Sequence, residues 1–337
     1  MKAIVLVGGF GTRLRPLTLS TPKQMLPVGN RPMIERVVET LAEGGVTDAV
    51  LSLGYRPDAF IDCYPSGVCA GVRLHYAVEP EPLDTAGAIR FAARHAKLEE
   101  TFVVLNGDVL TDLDLSQLIA LHRDRGAEAT IALTPVEDPS RYGVVPTDDD
   151  GLVLGFIEKP PRDQAPTNWI NAGTYIVEPS VIDRIPGGRK VSIERETFPA
   201  LVHDRSLFAL RSDVYWVDAG TPATYLEVNL DLLAGKRGAS ENGIDPRASI
   251  AATAKVLRSV IGPGTTIGAE AEVVDSVIMS GCRISSGAVV RDSILGVGAT
   301  VGTGAALTAL CVIGDGQAID AGVSLEGARL PSSAGAS

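Results

Sequence analysis

Gly8, Gly9 and Gly11, followed closely by Arg13, Arg15 and Lys23, are the residues of this 337-residue chain best suited to chemistry. They come directly after Ala3-Ile4-Val5-Leu6, an apolar run that predicts a buried strand. Three glycines in four positions let the backbone turn sharply and bring N–H groups close to an anion. With fixed cations behind them, such a turn has what a polyphosphate needs: backbone donors for its oxygens and positive charge for the rest. The plainer alternative is a strand-to-helix turn with a solvated basic face. The glycines alone do not separate the two readings; glycines together with Arg13 and Lys23 favour phosphate. Two familiar phosphate motifs are excluded. No Gly-Lys-Ser/Thr ending makes a P-loop, and Leu14 stands where a dinucleotide fingerprint has its third glycine.

Two acids follow apolar runs far apart in the chain. Asp108 ends Val104-Leu105-Asn106-Gly107-Asp108, and Asp218 lies in Tyr215-Trp216-Val217-Asp218-Ala219-Gly220-Thr221-Pro222. Singly, each reads as a helix cap or a turn aspartate; together, two lone carboxylates are what Mg²⁺ uses when a nucleotide's phosphates supply its other ligands. Spacing alone leaves both possibilities open. So it does for Glu158-Lys159-Pro160, which on its own is more often an exposed turn than a site.

The first segment resembles the signature of the sugar-1-phosphate nucleotidylyltransferases, Gly-x-Gly-Thr-Arg-x-x-Pro-x-Thr and then Pro-Lys-x-x-x-Pro-Val. Gly9, Gly11, Thr12, Arg13, Pro16, Thr18, Pro22, Lys23, Pro27 and Val28 match it, and the likeness extends over residues 1–235. The resemblance implies Arg13 and Lys23 as catalytic residues. It implies a nucleotide side made of Leu6, Gly8, Gly9, Gly11, Thr12, Glu79, Pro82, Thr85, Ala86, Gly87 and Asp108. It gives the sugar side to Asn106, Gly107, Gly143, Glu158, Lys159, Asn171 and Gly173, and the metal, Mg²⁺, to Asp108 and Asp218. Many members have Gly where this chain has Asp84, which makes the local turn a point to examine. Within the family the nearest likeness is to the mannose-1-phosphate guanylyltransferases, through 17–23, 136–145, 170–173 and 192–199; the implied substrates are GTP and mannose 1-phosphate, giving GDP-mannose and pyrophosphate. Thymidylyl- or uridylyltransferases for glucose 1-phosphate share the catalytic residues and are the alternative. A non-catalytic regulatory homologue would be expected to have lost Arg13, Lys23, Asp108 or Asp218, and none is lost.

The elements that must position these residues follow from hydrophobic pattern. Strand-like runs at 3–7, 49–53, 74–77, 102–106, 129–133, 173–177 and 207–210 alternate with helical spacing at 33–44, 85–95 and 115–125. That alternation predicts an α/β, Rossmann-like, mostly parallel sheet with ligands above the strands' C-terminal ends. From residue 244 the period changes. Ile244, Ile261, Ile278 and Leu295 are 17 apart, Ile313 follows after 18, and each opens an apolar triad with a spacing of about six. This hexapeptide pattern predicts a left-handed parallel β-helix over 244–330, after a catalytic domain at 1–235. Gly262, Gly264, Gly268, Gly296, Gly298 and Gly302 are expected at its corners with positive φ. The tail from Pro331 to Ser337 is expected to be loose.

Bulk composition narrows the function classes. A net charge of −11 argues against a nucleic-acid binder. No run approaches the ~18 apolar residues of a membrane span, and no secretory signal opens the chain. Four dispersed cysteines give neither a disulfide framework nor a zinc site, so a cytoplasmic protein is expected. All four histidines precede the β-helix, which argues against acyl transfer there. The β-helix is instead expected to brace the catalytic domain or to join subunits as a homo-oligomer, dimer or tetramer, so that a chain ending near Lys236 would keep some turnover.

Overall fold

The computed structural model describes residues 1–54 and 56–331; of the expected loose tail, residues 332–337 lie outside the described residues. The chain folds into two compact units. One is Met1–Gly9 with Ile34–Trp216, and the other is Phe10–Met33 with the chain from Val217 onward.

The first unit is built on a ten-stranded sheet. Lys2–Leu6 lies between Asp48–Leu53 and Phe102–Asn106, parallel to both, and Asp48–Leu53 pairs in parallel with Val72–Val78. Asp48–Leu53, Phe102–Asn106 and Ala3–Leu6 are nearly continuous apolar stretches because both faces are covered, whereas Val72–Val78 alternates buried and exposed residues. The chain first adds strands on one side of Lys2–Leu6 and then crosses to the other with Phe102–Asn106. The strand order therefore reverses at Lys2–Leu6, and a crevice for ligands opens at the C-terminal ends there. Beyond Phe102–Asn106 the sheet continues antiparallel through Trp169–Val177, which pairs with Ala129–Pro135. Helix Asp84–His95 buries Ala86, Ile89, Ala92 and Ala93 in the core with Ile4, Val50 and Val104. Asp114 caps helix Leu115–Arg125 by accepting from Ser116 N at 2.9 Å, and Gly126 ends it at φ 56°.

The structure also holds helices Pro57–Cys63, Pro179–Arg184, Phe198–His203 and Pro222–Leu233, which hydrophobic spacing did not predict. Each has proline in its first turn, where the fixed φ suits a helix start and no N–H is missed. The first three are too short to show an apolar period.

In the second unit, strands of two or three residues stack into three parallel five-stranded sheets, a parallel β-helix consistent with the left-handed kind. Partners are one coil apart: Ile261 lies beside Ile278, and Leu295 beside Ile313. The triads point inward as expected, with Ile278, Ile284, Val290, Leu295, Val301 and Leu307 buried; Ile244, at the open end, is 36% exposed. Ser259, Ser276 and Ser293 form a buried ladder in which Ser276 N donates to Ser259 Oγ at 3.1 Å and Ser293 N to Ser276 Oγ at 3.2 Å. This satisfies donors that the corner takes out of the sheets.

The corner glycines correct the reading made from sequence. Gly264 and Gly298 have positive φ, but Gly262, Gly268, Gly296 and Gly302 do not. Their need is close approach: a Cβ on Gly302 would lie 2.5 Å from Ala321 N of the next coil. Several left-handed corners are held by other residues, among them Arg258, Asp275 and Asp292. Gly302→Ala should therefore destabilise the β-helix by about 1–3 kcal/mol through overpacking. Chemical denaturation of the variant tests this, and a shift under about 0.5 kcal/mol, the scale of a neutral surface change, contradicts it.

Candidate functional site

In the first unit the candidate residues gather where the strand order reverses. Val7 N donates to Ser52 O at 3.1 Å and Gly107 N to Leu6 O at 2.9 Å, so the chain leaves two adjacent strands at one level. Gly8 and Gly9 follow the first strand, and Gly107 and Asp108 the second. Glu79, 8% exposed, supports the glycine turn from below. Its Oε1 accepts from Ser52 Oγ at 2.9 Å and its Oε2 from Leu83 N at 3.1 Å, while a Cβ on Gly8 would stand 3.2 Å from Oε1. Gly8 is small because that carboxylate occupies the space.

Asp84, standing where relatives were expected to have Gly, adopts φ 62°, and its carboxylate accepts from Thr85 N at 2.8 Å. Aspartate is among the few non-glycine residues that enter this region readily, so the turn keeps its shape. Pro82 and Thr85 flank the turn. The Thr85 hydroxyl donates to Glu194 Oε2 at 2.8 Å and accepts from Ile193 N at 2.8 Å; Ser192 Oγ donates to the same Glu194 oxygen at 2.7 Å. Ala86 N and Gly87 N both donate to Val191 O. A hydroxyl has a single proton, and that of Thr85 is already committed to Glu194. Thr85 thus fastens the loop to the π-helical turn Ile193–Thr197, and Ala86 and Gly87 fasten it to Val191 just before that turn. Glu194 carried no role in the sequence reading, since 109 residues separate it from Thr85.

The sugar-side residues form a second group in this unit. Gly143 pairs with Glu158 in the sheet, and Lys159 Nζ contacts Glu158 Oε1 at 2.5 Å. Asn171 Oδ1 accepts from Gly173 N at 3.0 Å and its amide donates to Tyr175 Oη at 2.9 Å. The strand is irregular between Asn171 and Tyr175, and Gly173 sits there at φ 74° with Asn106 Nδ2 only 2.5 Å from where a Cβ would be. Bulges of this kind re-aim side chains. Burial, and then the negative field of Glu194, raises the Tyr175 phenol above its ordinary range; Glu158 and Asp108 add to the field, and the Asn171 amide opposes it. The three acids therefore act on one buried ring. Trp216, to which the sequence gave no separate role, packs edge-on against Tyr142 at 5.6 Å and donates to Ala172 O at 2.9 Å.

In the second unit, Gly11 turns at φ 61° and Thr18 Oγ1 donates to its carbonyl at 2.8 Å. Thr12–Leu14 and Lys23–Met25 are short 3₁₀ turns carrying the two expected catalytic cations. Lys23 is buried, whereas the Arg13 side chain is 62% exposed. Arg13 Nη2 lies 3.7 Å from Asp218 Oδ2, beyond hydrogen-bond range, and the Asp218 carboxylate is 20% exposed. A contact of that kind costs little to exchange for a phosphate. Gly220 leaves room for both side chains, since its Cβ would fall 2.6 Å from each. Among the described residues, no three or more His, Cys, Asp or Glu gather as a metal cage. No helix among them is long and apolar enough to cross a membrane.

Residues 2–235 match the nucleotidyl transferase family, and residues 239–333 match the GMPPB C-terminal domain. The chain is 43% identical over 235 residues to a mannose-1-phosphate guanylyltransferase of Mycobacterium tuberculosis, with 69% of this chain and 65% of the relative covered. It is 46% identical over 230 residues to a mannose-1-phosphate guanyltransferase of Schizosaccharomyces pombe, with 67% and 62% covered. The match thus spans just under two thirds of these relatives' lengths. Among solved structures it is similar to HddC from Yersinia pseudotuberculosis, with 31% identity and a TM-score of 0.58 over 68% of this chain and 97% of that one. It is also similar to a putative glucose-1-phosphate thymidylyltransferase from Bacillus anthracis, with 26% identity and a TM-score of 0.62 over 68% and 94%.

The fastening of Thr85 gives a direct expectation. Thr85→Val keeps the shape but strips two hydrogen bonds, leaving the Ile193 amide and Glu194 short of a partner, and should cost about 1–3 kcal/mol. Urea unfolding measures it; stability within about 0.5 kcal/mol of wild type would contradict the geometry.

Proposed function

The chain belongs to the nucleotidyl transferase family, and on that premise we propose that it joins GTP to mannose 1-phosphate, giving GDP-mannose and pyrophosphate. The observation that carries this reading is the placement, within the first unit, of Gly8–Gly9 and Gly107–Asp108 at the reversal of strand order, with the Glu79 loop on one side and the Asn171–Glu158 group on the other. Identity of 43–46% to the mannose-1-phosphate enzymes supports the choice of base and sugar.

The sugar phosphate oxygen attacks the α-phosphorus in line, the bond to the β-phosphate oxygen breaks, and pyrophosphate leaves with the electron pair. The attacking phosphate is already ionised, so no protein base is needed, and positioning and charge stabilisation supply the catalysis. Gly8, Gly9, Gly11 and Thr12 offer backbone donors to the triphosphate. Arg13 balances charge on the leaving pyrophosphate, Lys23 holds the α-phosphate and Lys159 the sugar phosphate. Asn106, Gly107, Gly143, Glu158, Asn171 and Gly173 orient the sugar, and Glu79 with Pro82 and the loop Thr85–Gly87 frames the nucleoside. Carboxylate oxygens at Asp108 and Asp218 suit a hard divalent ion that takes its remaining ligands from phosphate and water. Mg²⁺ held there supplies charge neutralisation on the phosphates. Residues 1–235 constitute the catalytic domain in this reading and 244–330 the β-helix domain of a cytoplasmic homo-oligomer, dimer or tetramer.

Pyrophosphate release is to be followed with four nucleoside triphosphates against mannose 1-phosphate and glucose 1-phosphate. GTP with mannose 1-phosphate should be fastest. Preference for dTTP or UTP with glucose 1-phosphate would replace this reading with the thymidylyl- or uridylyltransferase one. Chelation by EDTA should abolish turnover and added Mg²⁺ restore it; near-normal rates in EDTA would remove the metal from the proposal. Arg13→Ala should lower kcat by roughly 10²–10³-fold, the scale for one preorganised donor. A change confined to KM would show that Arg13 only binds ground-state nucleotide.

A further inference from the structure

We propose that the β-helix is a positioning element for the reaction: it holds the loop bearing Arg13 and Lys23, tying it at Asn30 beyond Lys23 and at Ser20 between Lys23 and Arg13. Phe10–Met33 belongs to the same compact unit as the β-helix. At the first tie, Asn30 Nδ2 donates to Gly243 O at 2.9 Å and to Ile261 O at 3.2 Å, on the first coils. At the other, Ser20 Oγ donates to Asp315 Oδ2, while Asp315 Oδ1 accepts from Val297 N at 2.8 Å and so joins the last two coils. Pro16 packs beside Gly314, 3.1 Å from where a Cβ there would lie, and Arg329 approaches Arg13 O at 3.4 Å. The ties are three to four coils apart, about 14–19 Å at the ~4.8 Å spacing of strands.

Between the ties, helix Pro222–Leu233 adds buried support. Asn229 is fully buried and accepts from Gly29 N at 2.9 Å, and Tyr225 Oη donates to Pro27 O. The segment itself has only two 3₁₀ turns and one two-residue hairpin pair, too little regular structure to fix its own shape. Its two cations must nevertheless meet a transition state within a fraction of an ångström. The rigid, stacked β-helix is what fixes it. Asn30, Ser20 and Asp315 act through the loop and are positioning residues. This goes against the division of labour read from sequence, in which a chain ending near Lys236 keeps turnover: such a chain loses both ties.

The inference rests on the nucleotidyl transfer reading for its kinetic consequence but not for its structural one, and the experiment separates them. Asn30→Gly keeps the left-handed backbone that Asn30 adopts at φ 64° and removes its two hydrogen bonds. Ser20→Ala removes the other tie. In full-length protein carrying both, kcat should fall at least about tenfold with KM changed less than about threefold, and Ser20→Thr, which keeps the hydroxyl, should retain the rate. Amide exchange at Leu14 and Leu17 should speed up by about tenfold or more, while the melting temperature stays within a few degrees, roughly the effect of 1 kcal/mol or less. Unchanged exchange, or faster exchange with wild-type kcat, overturns the proposal. If the wild-type protein transfers no nucleotide, the functional reading fails and the exchange rates still decide whether the β-helix holds the loop. Should the double variant not fold, Ser20→Ala alone, which removes the exposed hydrogen bond to Asp315, is read in the same way.

Discussion

In the proposed reaction a cation that stabilises the transition state must not move when the charge appears, and Arg13 and Lys23 sit on a loop with little regular structure of its own. Several contacts in the second unit hold it. Thr18 closes the Gly11 turn, Tyr225 and Asn229 grip residues 27–29 from a buried helix face, and Asn30 and Asp315 tie the loop to stacked coils. The β-helix gains its stiffness from repetition, since each coil is bonded to the next along three sheets and by the buried serine ladder. Arg13 itself is 62% exposed and 3.7 Å from Asp218, as the proposed phosphate contact requires.

The first unit meets the same demand differently. Its parallel sheet sets the heights of Gly8 and Gly107, and the neighbouring loops are then fastened sideways. Glu79, beside the glycine turn, ties Ser52 to Leu83, while Glu194 ties Thr85 to the π-helical turn. Glu79 accepts through both oxygens and Glu194 twice through Oε2, so these carboxylates serve internal donors. Such supporting contacts decide whether a site is held to the tolerance that positioning requires.

What could be read from sequence followed physical range. The central strands were legible because burial on both faces makes them continuous apolar runs. The β-helix was legible because a 17-residue period recurs over five coils, and the signature was legible because glycine, arginine and lysine stand close together in the chain. Three short proline-started helices were missed, being about two turns long or less, although Pro57, Pro179 and Pro199 marked them; the longer Pro222–Leu233 was missed as well, although Pro222 marked it. Positive φ was assigned to all six corner glycines when four of them make room for the next coil instead. Asp84 kept the turn that glycine would have made, a substitution that composition could not settle. The ties from Asn30 and Ser20 span 213 and 295 residues, and no local pattern encodes them.

The central claim is that a fixed frame of charge, rather than protein acid–base chemistry, carries the reaction. The pH dependence of single-turnover transfer from saturating GTP to mannose 1-phosphate tests it most directly. The account predicts a rate that is flat from about pH 7 to 9 and falls only near pH 6, where a phosphate monoester takes up its second proton. A limb that keeps rising above about pH 7, and that disappears in Glu158→Gln or Glu194→Gln, would place a protein base at the centre of the mechanism and contradict the account.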